Sequence, residues 1–149
     1  SEDELQLRLD KHQDLKLTDW KFKAIRRGDN FADLVDSSEK IFIIDFLENL
    51  QDAWKIGAEL KKIHDKLRDG IAIVFLQKKG GEDLARGGQY TLDKARFYVA
   101  LDQDKEANAN RVKIVDAKAW RTDRNPRGMY RFYKLVNGTN FITTSEWRD

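Results

Sequence analysis

The stretch Ile41-Phe42-Ile43-Ile44-Asp45 decides how this chain is read. Four β-favouring apolar residues stand in a row and end on an acid. A strand with one wet face alternates apolar and polar residues. An unbroken apolar run instead predicts a strand covered on both faces, as in a parallel sheet. Ile71-Ala72-Ile73-Val74-Phe75-Leu76 repeats the pattern and ends on Gln77. Between the two runs, Leu50, Ala53, Trp54, Gly57, Leu60, Ile63, His64 and Leu67 recur at helical spacing, with Lys61, Lys62, Asp65 and Lys66 mostly off that face. Gly70 stands where a residue closing the helix is expected. A strand, about twenty helical residues and a second strand make a right-handed β–α–β unit.

Open α/β sheets bind ligands at the C-terminal ends of their strands. Asp45 is therefore the first candidate site residue, and a cap for the following helix is its plainer role. Gln77 ends the neighbouring strand in the same way. Residues 78–90 are polar and glycine-rich and carry Lys78, Lys79 and Arg86. They suit a functional loop or an ordinary connection. Residues 97–101 predict a third strand and 102–110 a polar turn. Residues 111–119 and 128–136 alternate around Asn125-Pro126-Arg127-Gly128, which predicts a β-hairpin. A last short strand or tail holds Phe141 and Trp147. Upstream, Ser1-Glu2-Asp3-Glu4 has the form of a capping box opening a helix to about His12. Trp20, Phe22 and Ala24 alternate like a half-buried strand, Arg26-Arg27-Gly28-Asp29 suits a turn, and Asn30 is the expected cap of a short helix that includes Phe31, Leu34 and Val35.

The 149 residues suit one domain, with 40% hydrophobic and 36% charged residues and a net charge of +2. The absence of Cys removes disulfides and thiolate chemistry, and only His12 and His64 are present, too few for a multi-histidine metal site. No apolar run approaches the roughly 18 residues of a membrane helix, and the expected location is cytoplasmic. Residues 111–149 hold nine basic against four acidic side chains, and this local excess is available to phosphates. His64, Trp20, Trp54, Phe97 and Tyr98 are expected to pack in the core. Tyr90 is the aromatic residue best placed to stack on a base.

Taken in order, these segments resemble the RecA-like ATPases. Residues 41–45 look like a Walker B strand, and residues 70–77 resemble the adjacent strand that ends in a sensor residue. The basic glycine-rich loop, the strand from Phe97 and the hairpin with Lys118 and Asn125-Pro126-Arg127-Gly128 follow in the family's order. The DnaB-like replicative helicases and their phage or mobile-element relatives are the most similar subgroup. There, a strand bearing a catalytic Glu is followed by a helix that begins much like residues 1–12.

The resemblance implies an α/β fold: a mainly parallel sheet flanked by helices, a partial RecA-like core lacking the phosphate-loop strand, and a C-terminal β-hairpin. It implies ATP and Mg²⁺ as cofactors of a parent enzyme, with neither expected to bind tightly to this chain alone. Asp45 would orient Mg²⁺ and Gln77 would sense the γ-phosphate. Lys78, Lys79 and Arg86 would face single-stranded DNA in the channel of a hexameric ring. Lys118 would extend toward a neighbouring subunit's nucleotide. The family usually has an Arg two positions later. Here Trp120 stands there, and Arg121 or Arg124 is the substitute. No G-x-x-x-x-G-K-[ST] occurs, and Glu48 is not placed by the resemblance as a catalytic base. The chain is thus expected to be residues 1–149 of a C-terminal ATPase portion, inactive alone, with a homodimer or a rearranged sheet as its form in isolation. The alternative is a standalone, non-catalytic RecA-like module that binds DNA or a protein.

Overall fold

The computed structural model describes residues 2–12, 17–19, 21–36, 41–47, 52 and 54–149 of the chain. Ser1 with its capping box, Trp20, Glu48, Leu50 and Ala53 lie outside the described residues. Helix α1 spans Glu2–Leu9. Strand β1 (Ile41–Ile44), helix α2 (Lys55–Lys66) and strand β2 (Ile71–Val74) follow. β1 and β2 pair in parallel, in register from Ile41↔Ile71 to Ile44↔Val74. The β–α–β unit expected from the two apolar runs is therefore present.

Phe42 and Ile44 of β1, with Ala72 and Val74 of β2, face a core that includes Ile56 and Ile63 of α2. Ala32, Val35 and Leu47 complete it. The opposite face carries Ile41, Ile43, Ile71, Ile73 and Phe75, all exposed. The apolar runs are thus apolar on both faces, and the described residues cover one of them.

The rest of the sheet structure is antiparallel. β3 (Phe97–Asp104), β4 (Ala109–Ala117), β5 (Tyr130–Val136) and β6 (Asn140–Thr143) form a second sheet in the order β3-β4-β5-β6. The fold is α/β, but among the described residues its parallel part comprises two strands, against the mainly parallel sheet expected. Two features of the sequence account for this. The strand from Phe97 runs to Asp104, three residues further than its apolar part, and only a four-residue turn separates it from β4. So short a link joins antiparallel neighbours, because a parallel pair needs a long crossover. The Asp104 carboxylate accepts from the Ala107 amide at 2.9 Å and braces that turn.

The hairpin of β4 and β5 is present, with Asn110↔Tyr133 to Lys113↔Tyr130 in register. In its connection, the Asn125 side chain accepts from the Arg127 amide at 3.1 Å, and Gly128 takes a positive φ of 86° that favours glycine.

Several expectations do not hold. Residues 21–27 form no strand and are exposed throughout, because no described segment pairs with them. The helix begins at Lys55, so Trp54 precedes it and is 61% exposed, with the Lys55 ammonium 5.5 Å from its ring centre. His64 projects outward beside Asp65 at 3.4 Å, since the buried line of α2 runs through Ile56 and Ile63. Phe97 is exposed. Gly70 does not close α2; Leu67 does, in an extended conformation. Among the described residues no helix is long and apolar enough to cross a membrane.

Candidate functional site

Backbone pairing continues beyond the regular strands. Phe75 donates to the Ile44 carbonyl at 2.9 Å, and Leu47 donates to the Phe75 carbonyl at 3.0 Å. Asp45 directly follows β1 in a bend, and Gln77 continues the alternation of β2 on the side of Ile73 and Phe75. Both are exposed. The two polar residues thus lie at the C-terminal edge of the parallel pair. Asp45 makes no hydrogen bond or ion pair with the described residues, and the described part of α2 begins ten positions later.

Gln77 leads directly into the glycine-rich loop. Its carbonyl accepts from the Arg86 amide at 2.9 Å, and Lys78 bridges Ala85 in antiparallel fashion. Residues 78–85 are therefore a closed loop. Gly81 at its tip has φ 80° and Gly87 at its exit has φ 104°, conformations open to glycine at no steric penalty.

The loop is fastened to the antiparallel sheet at three points. Lys78 donates to the Asp102 carboxylate of β3 at 2.8 Å, and the Gly81 amide donates to the same oxygen at 3.1 Å. The side chains of Lys78 and Asp102 are 15% and 19% exposed, so water screens the pair incompletely. Chiefly through the hydrogen bond from Lys78, the Asp102 carboxyl is held below the usual carboxylate range. Asp83 meets Lys113 of β4 at 2.6 Å. The Ala85 amide donates to the Tyr98 hydroxyl at 2.9 Å. That hydroxyl also lies 3.3 Å from Thr91 Oγ1, which donates to the Gly88 carbonyl at 2.7 Å. Beyond the loop, the turn Gly88–Thr91 leans on α2, where Tyr90 covers Gly57.

Neither the family models, nor the curated proteins, nor the solved structures give a match to this chain.

The loop cations therefore differ in state. Lys78 is engaged with Asp102. Lys79 is exposed, 3.9 Å from Glu82. Arg86 is exposed, and its backbone closes the loop. Tyr90 is 60% exposed despite its contact with α2. Lys118 does not reach outward: its ammonium donates to the Asp93 carbonyl at 2.6 Å and the Leu92 carbonyl at 3.3 Å. Arg121 is exposed, Arg124 pairs with Asp149, and Arg127 pairs with Asp116 at 2.6 Å. Asp45, Gln77 and the loop thus share one edge. No hydrogen bond or ion pair among the described residues joins Lys118 or Arg121 to Asp45 or Gln77.

Sequence reasoning missed Asp102, Asp83, Lys113, Tyr98 and Thr91 as parts of this edge. The available signal was Asp102 itself, an acid continuing the alternation of the strand that follows a basic loop.

Proposed function

We propose that this chain is the C-terminal part of a RecA-like core in an ATP-dependent DNA helicase or related DNA-processing ATPase. The observation that carries the proposal is the joint placement of Asp45 and Gln77, both exposed, at the C-terminal edge of a parallel β–α–β pair, with the glycine-rich loop leaving directly from Gln77. That edge is where open α/β sheets take ligands. The split sheet adds support. Among the described residues β2 pairs only with β1, and β3 only with β4, so each sheet keeps an edge that a further strand could join.

In this proposal Asp45 holds Mg²⁺ through water beside the β- and γ-phosphates. An exposed carboxylate with no partner among the described residues fits that role. Mg²⁺ keeps much of its water shell and needs only one or two carboxylates when phosphates complete it. The metal, when bound, neutralises charge on the phosphates during transfer. Gln77 reports the γ-phosphate to the loop through its own backbone bond to Arg86. Lys78, Lys79 and Arg86 meet single-stranded DNA, and ring assembly multiplies these few contacts by effective concentration. Lys118 and Arg121 act toward a neighbouring subunit, which requires Lys118 to leave its carbonyl partners. In isolation the chain is expected to self-associate as a homodimer.

The test has a genetic and a biochemical arm. Coding sequence upstream of Ser1 should encode a G-x-x-x-x-G-K-[ST] loop. In that parent protein, Asp45→Asn should lower ATP hydrolysis by orders of magnitude without changing the circular dichroism spectrum. An upstream region with no phosphate loop, or near-normal turnover of Asp45→Asn, overturns the proposal.

A further inference from the structure

The cations between the loop and the antiparallel sheet are already neutralised from within. Asp102 takes Lys78 and the Gly81 amide on one oxygen, and its other oxygen accepts from the Gln103 amide at 3.1 Å. Asp83 takes Lys113. A carboxylate that gathers an ammonium and a loop-tip amide occupies them as a phosphate oxygen would. A polyanion approaching this loop therefore meets Arg86, which has no carboxylate partner among the described residues, Lys79, loosely paired with Glu82 at 3.9 Å, and Lys78 occupied.

We propose that Asp102 is a latch. It holds the loop of residues 78–86 against β3 and withholds Lys78 until a nucleic-acid phosphate displaces the carboxylate, so that binding and loop release are one event. The inference rests on the nucleic-acid role proposed above for this loop and adds its regulation. The exchange is local. Lys78 trades one anionic partner for another, the Gly81 amide loses its acceptor, and the Asp102 carboxylate is left to Arg111, its cross-strand partner in β4. The anchor at Tyr98, which holds Ala85 through a neutral hydroxyl, does not compete with phosphate. The far end of the loop stays fixed while the tip moves.

Asp102→Asn tests this, because it removes the charge that holds Lys78 and keeps the shape. Oligo-dT binding to the 149-residue chain is measured against salt for the wild type, D102N and the double variant D102N/K78M. One additional phosphate contact steepens the slope of log affinity against log salt by about 0.7 for a single strand. D102N should show that added slope and tighter binding at low salt, and the double variant should lose both. Without any ligand, hydrogen exchange at Gly81 should be faster in D102N, while Ala85 keeps its protection.

Wild-type binding with an unchanged or flatter slope in D102N overturns the latch and leaves the nucleic-acid role of the loop intact. Unchanged exchange at Gly81 overturns the latch whatever the binding result. Absence of oligo-dT binding by all three proteins at low salt overturns the nucleic-acid role and the latch with it.

Discussion

At the scale of residues, Asp102 gives the most direct measurement. Lys78 and the amides of Gly81 and Gln103 favour its charged form, so its folded pKa lies below the unfolded value of about 3.9. A depressed carboxylate contributes stability that is fully present above the unfolded pKa and is lost as pH falls through the folded one. Asp104 on the same face lies 3.9 Å from Arg111. The attachment of the loop tip is therefore expected to be constant from neutral pH down to about 4 and to weaken only below it. Carboxyl titration by NMR should give Asp102 a midpoint under that of an exposed aspartate, and a midpoint at or above it would show that the Lys78 contact does not hold in solution.

Asp45 and Gln77 were legible as residues because each ends an apolar run, and a polar side chain at such a place stands out against its neighbours. Asp102 was not. In the sequence it opens a polar segment, and only cross-strand pairing with β4 shows that the strand continues through it. The state of a lysine is equally hidden from sequence. Lys78 and Lys79 are adjacent and alike on paper, yet one is half-buried against a carboxylate and the other projects into water.

Among the elements, α2 holds the most testable contact. A Cβ added to Gly57 would come within 2.9 Å of the Tyr90 Cβ and 3.1 Å of its carbonyl oxygen. Ala is favoured over Gly inside a helix by about 1 kcal/mol. Overpacking against backbone costs about 1–3 kcal/mol, and the turn Gly88–Thr91 has little room to retreat because Thr91 behind it is 1% exposed. Gly57→Ala is thus expected to lower stability in urea unfolding despite its higher helix propensity, and to speed hydrogen exchange in residues 88–91. A gain in stability would show that the turn moves away freely. Ile63→Ala, at a side chain 2% exposed in the core beneath both parallel strands, should cost about 2–5 kcal/mol by the same measurement.

Elements with an internal rule were readable: the apolar runs of β1 and β2, the amphipathic α2, and the alternating β4 and β5 around Asn-Pro-Arg-Gly. The alternation at 20–25 misled because alternation describes a strand only when another strand is there to pair with it. The parallel or antiparallel sense of β3 was equally a matter of its partner, decided by the shortness of the turn at 105–108.

For the whole molecule, the unresolved balance is one of apolar surface. Ile41, Ile43, Ile71, Ile73 and Phe75 form an exposed face on the parallel pair, and Phe97, Val99, Leu101, Leu135 and Phe141 are exposed on the antiparallel sheet. Contiguous apolar faces of this kind mark surfaces that are covered in use. The proposed parent core would cover them with its own strands and helices, and the isolated chain has only a second copy to offer. Sedimentation velocity is therefore expected to show concentration-dependent self-association. Ile43 and Ile73 are paired across the two strands on the open face, away from the core, so lysine at both should leave the fold unchanged by circular dichroism. Each isoleucine is worth about 1.5–3 kcal/mol when fully covered, so the double variant should weaken association at least about tenfold. A compact monomer at every concentration for the wild type, or association indifferent to Ile43→Lys/Ile73→Lys, would place the self-association surface elsewhere or remove it. Weakening by the lysines together with more rapid oligo-dT dissociation would tie the open face to the same assembly that multiplies the contacts of Lys79 and Arg86.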